Sequence, residues 1–232
     1  MKQREKMLPL EKSEVLRYLG YRRKQELTVP VEKMVNELML EVQQVSHPRY
    51  SYKIFDVRVD EENQAIQVGD TELLLTGKHI YSHLKNAEQV VLLAATLGIE
   101  VERQTRLYEM TDMTKAFILD ACCVEYIEKI CDLAECDIDE MVGEDWTLNR
   151  RFSPGYGDLP LSVQPDFLRI MEADKKLGLH LTDTLLMVPR KSVTAIIGLF
   201  SEAKMARPRR KAPENLSAEM AKTYGFRIEN NE

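Results

Sequence analysis

The chain has 232 residues, 44% hydrophobic and 30% charged, with a formal net charge of −6. That is the composition of an ordinary globular chain of one large or two small domains, and the acidic excess excludes nucleic-acid binding through a general basic surface. No apolar run reaches the ~20 residues of a membrane-spanning helix, and the opening MKQREKMLPLEKSE has no apolar stretch of the kind a secretory signal needs.

The predicted elements follow in chain order. Ser13 to Arg23 is a short charged helix ending near Gly20. Val29 to Val45 carries Val31, Met34, Val35, Leu38 and Val42 at helical spacing, with Pro30 at its start. YSYKIFDVRVD, from Tyr50, reads as a strand, and AIQV and ELLL flank a Gly-Asp pair, so Ala65 to Leu75 reads as a hairpin. KHIYSHLKN is a short helix. AEQVVLLAATLG is a nearly continuous apolar run, which predicts a strand buried on both faces, ended by Gly98. A helix from Ile99 to Tyr108 follows. The longest periodic helix runs from Asp112 to Glu135, with Met113, Ala116, Phe117, Asp120, Ala121, Val124 and Ile127 on one broad face. The acidic DIDEMVGEDW reads as a turn. A proline-rich loop comes next, then a helix from Pro165 to Leu177 closed by Gly178, then TDTLLMVP and SVTAIIGLF as two strands.

Residues 1–200 are thus expected to form one α+β domain, because helices and strands mix without strict alternation. Residues 201–232 read as a loosely packed, polar tail with a basic cluster from Arg207 to Lys211. That cluster is either a solvated tail or a patch that meets an acidic partner protein. Cys122, Cys123, Cys131 and Cys136 fall in one helical segment without a Cys-x-x-Cys spacing. They read as reduced, mostly core-filling thiols of a cytoplasmic protein rather than a metal site. His79 and His83 lie four apart on one predicted helix, without the partner motif of a metal centre.

The loop RFSPGYGDLPLSVQPDF, Arg151 to Phe167, carries the chemistry. Pro154 and Gly155 favour a turn, and Gly155 and Gly157 let backbone approach a ligand. Arg151 offers a planar fork for a carboxylate. Tyr156 offers a flat face and a hydroxyl, and Asp158, Asp145 and Glu144 supply negative charge nearby. Together these suit a zwitterionic ligand with an extra positive charge. Bland readings stand beside this one: a proline-rich connector whose tyrosine plugs the core, an Arg151 paired with an aspartate such as Asp145, and a Glu125 on a solvated helix face. Asp120, on the apolar side of its helix, needs a partner if buried. There is no phosphate-binding glycine fingerprint and no serine-nucleophile elbow.

Arg151 followed by SPGY, then a helix, then LTDTLLMVPRKSVTAIIG resembles the reactivation domain of cobalamin-dependent methionine synthase. That domain has an R-P-A-P-G-Y-P loop, a helix and an L-T-E-S-x-x-M-x-P-x-x-S-V-S-G segment. Leu181, Thr182, Met187, Pro189, Ser192 and Val193 fit the second segment in order, and MTKAFILDACCVEYIEKI resembles the family's acid-and-alanine helix. The likeness runs from about Gly98 to Gly198, and is greatest to the family's stand-alone relatives. Gly157 stands where the family loop has proline, and Asp158 adds a charge.

The resemblance implies a single α+β domain with a curved, mainly antiparallel sheet and flanking helices. It implies binding of S-adenosylmethionine, whose sulfonium methyl is presented to a cobalamin carried by a partner, with one electron from a flavodoxin or similar donor. Arg151 would take the methionyl carboxylate. Tyr156 and the backbone at Pro154 and Gly155 would line the adenosine, and Glu125 with Glu144 or Asp145 would face the ammonium or sulfonium. The partner would be the cobalamin-binding modules of a methionine synthase or another corrinoid methyltransferase, because no barrel, cobalamin-ligand motif or zinc site is present here. A docking module or chaperone for such a protein, working without S-adenosylmethionine, is the alternative.

Overall fold

A computed structural model describes residues 8–22, 25–201 and 216–229. Six strands form one antiparallel sheet: β1 (Arg49–Asp60), β2 (Ala65–Val68), β3 (Leu74–Thr76), β4 (Gln89–Thr96), β5 (Trp146–Leu148) and β8 (Ser192–Ser201). Their order across the sheet is β3-β2-β1-β4-β8-β5. A separate ribbon pairs β6 (His180–Leu181) with β7 (Met187–Val188). The α+β expectation holds, and the predicted hairpin is the β2–β3 pair.

The alternation along the central strands assigns the layers. On β4, Val91, Leu93 and Ala95 join one core, while Val90, Leu92 and Ala94 join another on the opposite face. The first core is covered by α1 (Lys12–Tyr18), α2 (Val29–Val45), α4 (Ile99–Thr111), α5 (Met113–Val142) and α8 (Ala218–Tyr224). The second is covered by α3 (Lys78–Leu84), α6 (Gln164–Met171) and α7 (Ala173–Leu177). Burial on both faces explains why β4 reads as an unbroken apolar run.

Several expectations are corrected. The helix α1 is Lys12–Tyr18; Arg23, the predicted end, lies outside the described residues. α5 begins where expected, with the Asp112 side chain accepting from Lys115 N at 3.2 Å, but it continues for 30 residues to Val142. Of the acidic stretch taken for a turn, Asp137 to Val142 are its last turns, and the turn is confined to Gly143 to Asp145. Apolar spacing persists there through buried Ala134 and Ile138, and buried Asp137 accepts from the Tyr50 hydroxyl at 3.1 Å. Of the predicted face Ala116, Ala121 and Ile127 are buried, but the rest of the stripe differs. Leu119, Cys122, Tyr126, Ile130 and Leu133 face the core, while Met113 and Phe117 are 55% and 67% exposed. Helical spacing defines a face only to within one residue's rotation of 100°, and the sheet selects the more apolar stripe.

The single helix predicted from Pro165 breaks at Glu172, which adopts a left-handed conformation with φ 52° between α6 and α7. Only Met187 and Val188 of TDTLLMVP are strand. Thr182 to Leu185 turn instead, with Leu185 N donating to Thr182 O at 2.9 Å. The basic cluster Arg207 to Lys211 lies outside the described residues. The described part of the supposed loose tail is packed. Leu216 and Ala221 are buried, and Arg227 forms a parallel bridge to Tyr50, with Tyr50 N donating to Phe226 O and Ile228 N to Tyr50 O. The apolar residues that do this are too sparse to show as a pattern. Among the described residues no helix is long and apolar enough to cross a membrane.

The central strand makes a direct test. Leu93→Ala should lower the unfolding free energy by about 3 kcal/mol in urea titration, since it empties a fully buried site under α5. Leu186→Ala, on an exposed residue, should cost less than about 0.5 kcal/mol.

Candidate functional site

The predicted loop leaves the sheet at its edge. β5 pairs with β8 through Leu148, and Asn149 N then donates to Gly198 O at 3.1 Å while the Asn149 amide oxygen accepts from Gly198 N at 2.7 Å. Ladder pairing resumes at Phe152 opposite Ile196. Arg150 and Arg151 fill the interval.

Arg151 turns its guanidinium onto α5. Its side chain is 12% exposed, with Nη2 2.8 Å from Glu128, and Nη1 2.9 Å from Asp132 and 2.9 Å from Glu135. These three carboxylates stand at i, i+4 and i+7 and so share one stripe of the helix. A single guanidinium thus meets three carboxylates. Burial works against the charge on Arg151, and the neighbouring Cys131 and carboxylates outweigh it, so its pKa is raised above the ordinary value. Burial also pushes the Cys131 thiol up to about 12, which keeps it protonated and inert near neutrality. Arg151 therefore pairs with an aspartate, as one bland reading held, but with Asp132 of α5; Asp145 and Glu144 are exposed on the turn before β5.

The rest of the loop belongs to the opposite layer. Pro154 is buried, and a tight turn follows in which Tyr156 N donates to Ser153 O and Gly155 N to Leu159 O. Tyr156 is 70% exposed and so does not plug the core. Asp158 caps α3, accepting from Lys78 N at 2.7 Å and His79 N at 3.1 Å. Burial pushes its carboxyl upward, but the His79 and Lys78 amides outweigh this and hold it below the usual range. The close fit explains two glycines. A Cβ on Gly77, at φ 130°, would lie 2.6 Å from Asp158 Oδ1, and one on Gly157, at φ 57°, would lie 2.6 Å from His79 Nδ1. His83 Nε2 lies 2.8 Å from Arg150 O, and Asn149 Nδ2 donates to His83 O at 2.9 Å. Both histidines thus hold the loop on α3, and among the described residues no group of three or more His, Cys, Asp or Glu could hold a metal.

Glu125 lies on the acidic stripe of α5, one turn before Glu128, but faces α1 instead of Arg151. It is 3% exposed and accepts from Glu11 N at 3.3 Å. Burial pushes its carboxyl up to about 7, against the opposing pull of the Glu11 amide and Lys129. The structure thus keeps Arg151 with the α5 layer and Asp158 with the α3 layer, and gives Glu125 and Asp145 separate surroundings. The residues that sequence reasoning missed are Glu128, Asp132 and Glu135. Their signal is an acidic i, i+4, i+7 series around Cys131 inside an otherwise core-facing helix. Asp120 is only partly buried and has its partner in Lys191, 2.7 Å away.

Removing Arg151 should leave these carboxylates without their common counter-charge. Arg151→Met is expected to cost roughly 3–5 kcal/mol in urea unfolding at neutral pH. Adding Asp132→Asn and Glu135→Gln should restore most of that loss, whereas a purely steric role for Arg151 predicts no rescue.

No protein-family model matches the chain, and no curated relative does. Among solved structures it is similar to the MetH reactivation domain bound to AdoHcy, with a TM-score of 0.60 and 13% identity over 93% of this chain and 85% of that chain. At that identity the likeness is one of fold, spanning nearly the whole of both chains, and on that ground the chain has the fold of the MetH reactivation domain.

Proposed function

We propose that this protein binds S-adenosylmethionine beside the Arg151 loop and serves to reactivate a cobalamin-dependent methionine synthase partner. The observation that carries the reading is the fold likeness to a reactivation domain whose structure holds AdoHcy. The Arg151-to-Tyr156 loop and the Leu181-to-Gly198 segment, in the family's order, support it independently.

On this reading the methyl would pass to a cobalamin held by the partner, with one electron supplied by a flavodoxin-like donor, and AdoHcy would be left on this chain. The chain's own work is positional: it holds the sulfonium, aims its methyl at the partner and keeps water out. The carboxylates gathered at Arg151 suit a ligand whose reacting end carries sulfonium and ammonium charges. Glu128, 42% exposed, is the member of the cluster open to an incoming cation. Arg151 then acts by fixing the carboxylates more than by meeting the ligand's own. Tyr156 is exposed on the turn that packs toward α3, and would meet the adenine of a ligand that extends around the sheet edge from Glu128.

The saturation of Arg151 by three carboxylates favours a second reading, a module that docks on a corrinoid methyltransferase and needs no S-adenosylmethionine. Titration calorimetry separates the two. The first reading expects micromolar binding of S-adenosylmethionine, weakened about tenfold by Glu128→Gln and weakened also by Tyr156→Ala, in variants whose circular dichroism is unchanged. No binding heat from S-adenosylmethionine or AdoHcy at millimolar concentration, with retention of a purified corrinoid methyltransferase on the immobilised chain, would leave only the docking module.

A further inference from the structure

The seam between α1 and α5 holds a buried acid that the proposed ligand site does not require. Glu125, in the middle of α5, is covered by the segment that leads into α1, whose Glu11 N reaches it at 3.3 Å. That is a long hydrogen bond for a buried carboxyl. The groups facing it are mostly acidic. From the α1 side come Glu11, Glu14 and the Tyr18 phenol, and from α5 come Lys129 and the Cys122 thiol. Among the described residues the positive charges nearby are already engaged: Lys129 with Glu11, Arg17 with Glu14, and Lys12 with Glu32 of α2. The covering segment is short; Leu8 and Val15 are fully buried, Leu10, Leu16, Tyr18 and Leu19 pack against the same core while remaining partly exposed, and the Gln43 amide donates to Leu8 O at 2.8 Å.

We propose that α1 is a pH-gated latch, docked over Glu125 while that carboxyl is protonated and loosened when it ionises against Glu11 and Glu14. The sign follows from linkage. Burial raises the docked carboxyl from its ordinary 4.5 to about 7, so the docked state is the better proton binder. Docking is therefore strongest below the ordinary carboxylate range, weakens as pH climbs from about 4.5 to about 7, and stays at its weaker level above that. Lys129 moderates the effect without cancelling it, because its ammonium is shared with Glu11.

The latch also touches the Arg151 cluster. Tyr18, which ends α1, lies within electrostatic reach of Glu128, and Glu128 holds Arg151. Loosening α1 removes cover from one flank of that cluster. The value of this to a ligand rests on the proposed function, but the latch itself does not.

Hydrogen exchange on the full chain, corrected for the intrinsic effect of pH, tests it. Amides of Lys12–Tyr18 should lose protection about tenfold or more between about pH 5 and about pH 8, while those of Gln89–Thr96 in the sheet stay protected. In Glu125→Gln the change should vanish, with protection at the higher pH close to that of the wild type at the lower. If Glu125→Gln does not fold, Glu11→Gln should shrink the wild-type change. Equal protection at both pH values in the wild type, or an undiminished drop in the Glu variant that folds, overturns the latch. A failure to bind S-adenosylmethionine overturns only the ligand reading, and leaves this exchange result standing.

Discussion

A thirty-residue helix buried along most of its length can carry charge only where another part of the chain brings the opposite charge or a hydrogen bond. α5 carries charge at almost every turn, and its partners come from far apart in sequence. Lys191 meets Asp120, Glu11 meets Lys129, Arg151 meets Glu128, Asp132 and Glu135, the Tyr50 hydroxyl and Arg227 meet Asp137, and Lys222 meets Glu140. The N-terminal segment, the loop after β5 and the C-terminal segment are ordered on one helix for this reason. Apolar burial supplies most of the attraction between these layers. The charged contacts narrow the ways in which the layers can meet, because a shift of one residue along α5 would strand buried carboxylates.

The proline-glycine loop takes its form from the same constraint. Its first residue is tied to α5 on one face of the sheet, and its last turn is tied to α3 on the other. Crossing the sheet edge in so few residues requires the tight turn from Ser153 to Leu159 and a backbone that lies almost against His79. Gly157 is needed where a proline or any Cβ would collide, and Asp158 is needed to cap the helix that receives the loop. Two departures from the family's loop thus have local structural causes that do not involve a ligand.

Charge links this architecture to the proposed role. A sulfonium nucleoside brings positive charge at its reacting end, and the α5 stripe around Arg151 presents three carboxylates. Sites that stabilise a charge before the reaction begins work by having that charge fixed in a dry, rigid setting. Arg151, by holding three carboxylates at once, makes such a setting from side chains that would otherwise repel one another. The cationic fork and the acidic stripe are one unit, in which the acids, more than the fork, would face the ligand.

The sequence by itself determined much of the outline. Helical spacing marked α2 from Val29 to Val45, a two-sided apolar run marked β4, and the ordered motifs around Arg151 and Pro189 pointed to the fold that the structure has. What stayed out of reach was every relation set by a neighbour. Periodicity could not tell which side of α5 meets the sheet, because that depends on the apolar face of another element. Nor could local pattern show that Arg151 belongs to Glu128, Asp132 and Glu135, residues about twenty positions upstream, or that Glu125 lies beneath α1. Element type is written in nearest-neighbour chemistry, whereas the partner of a buried charge is decided only when distant segments exclude water from it together.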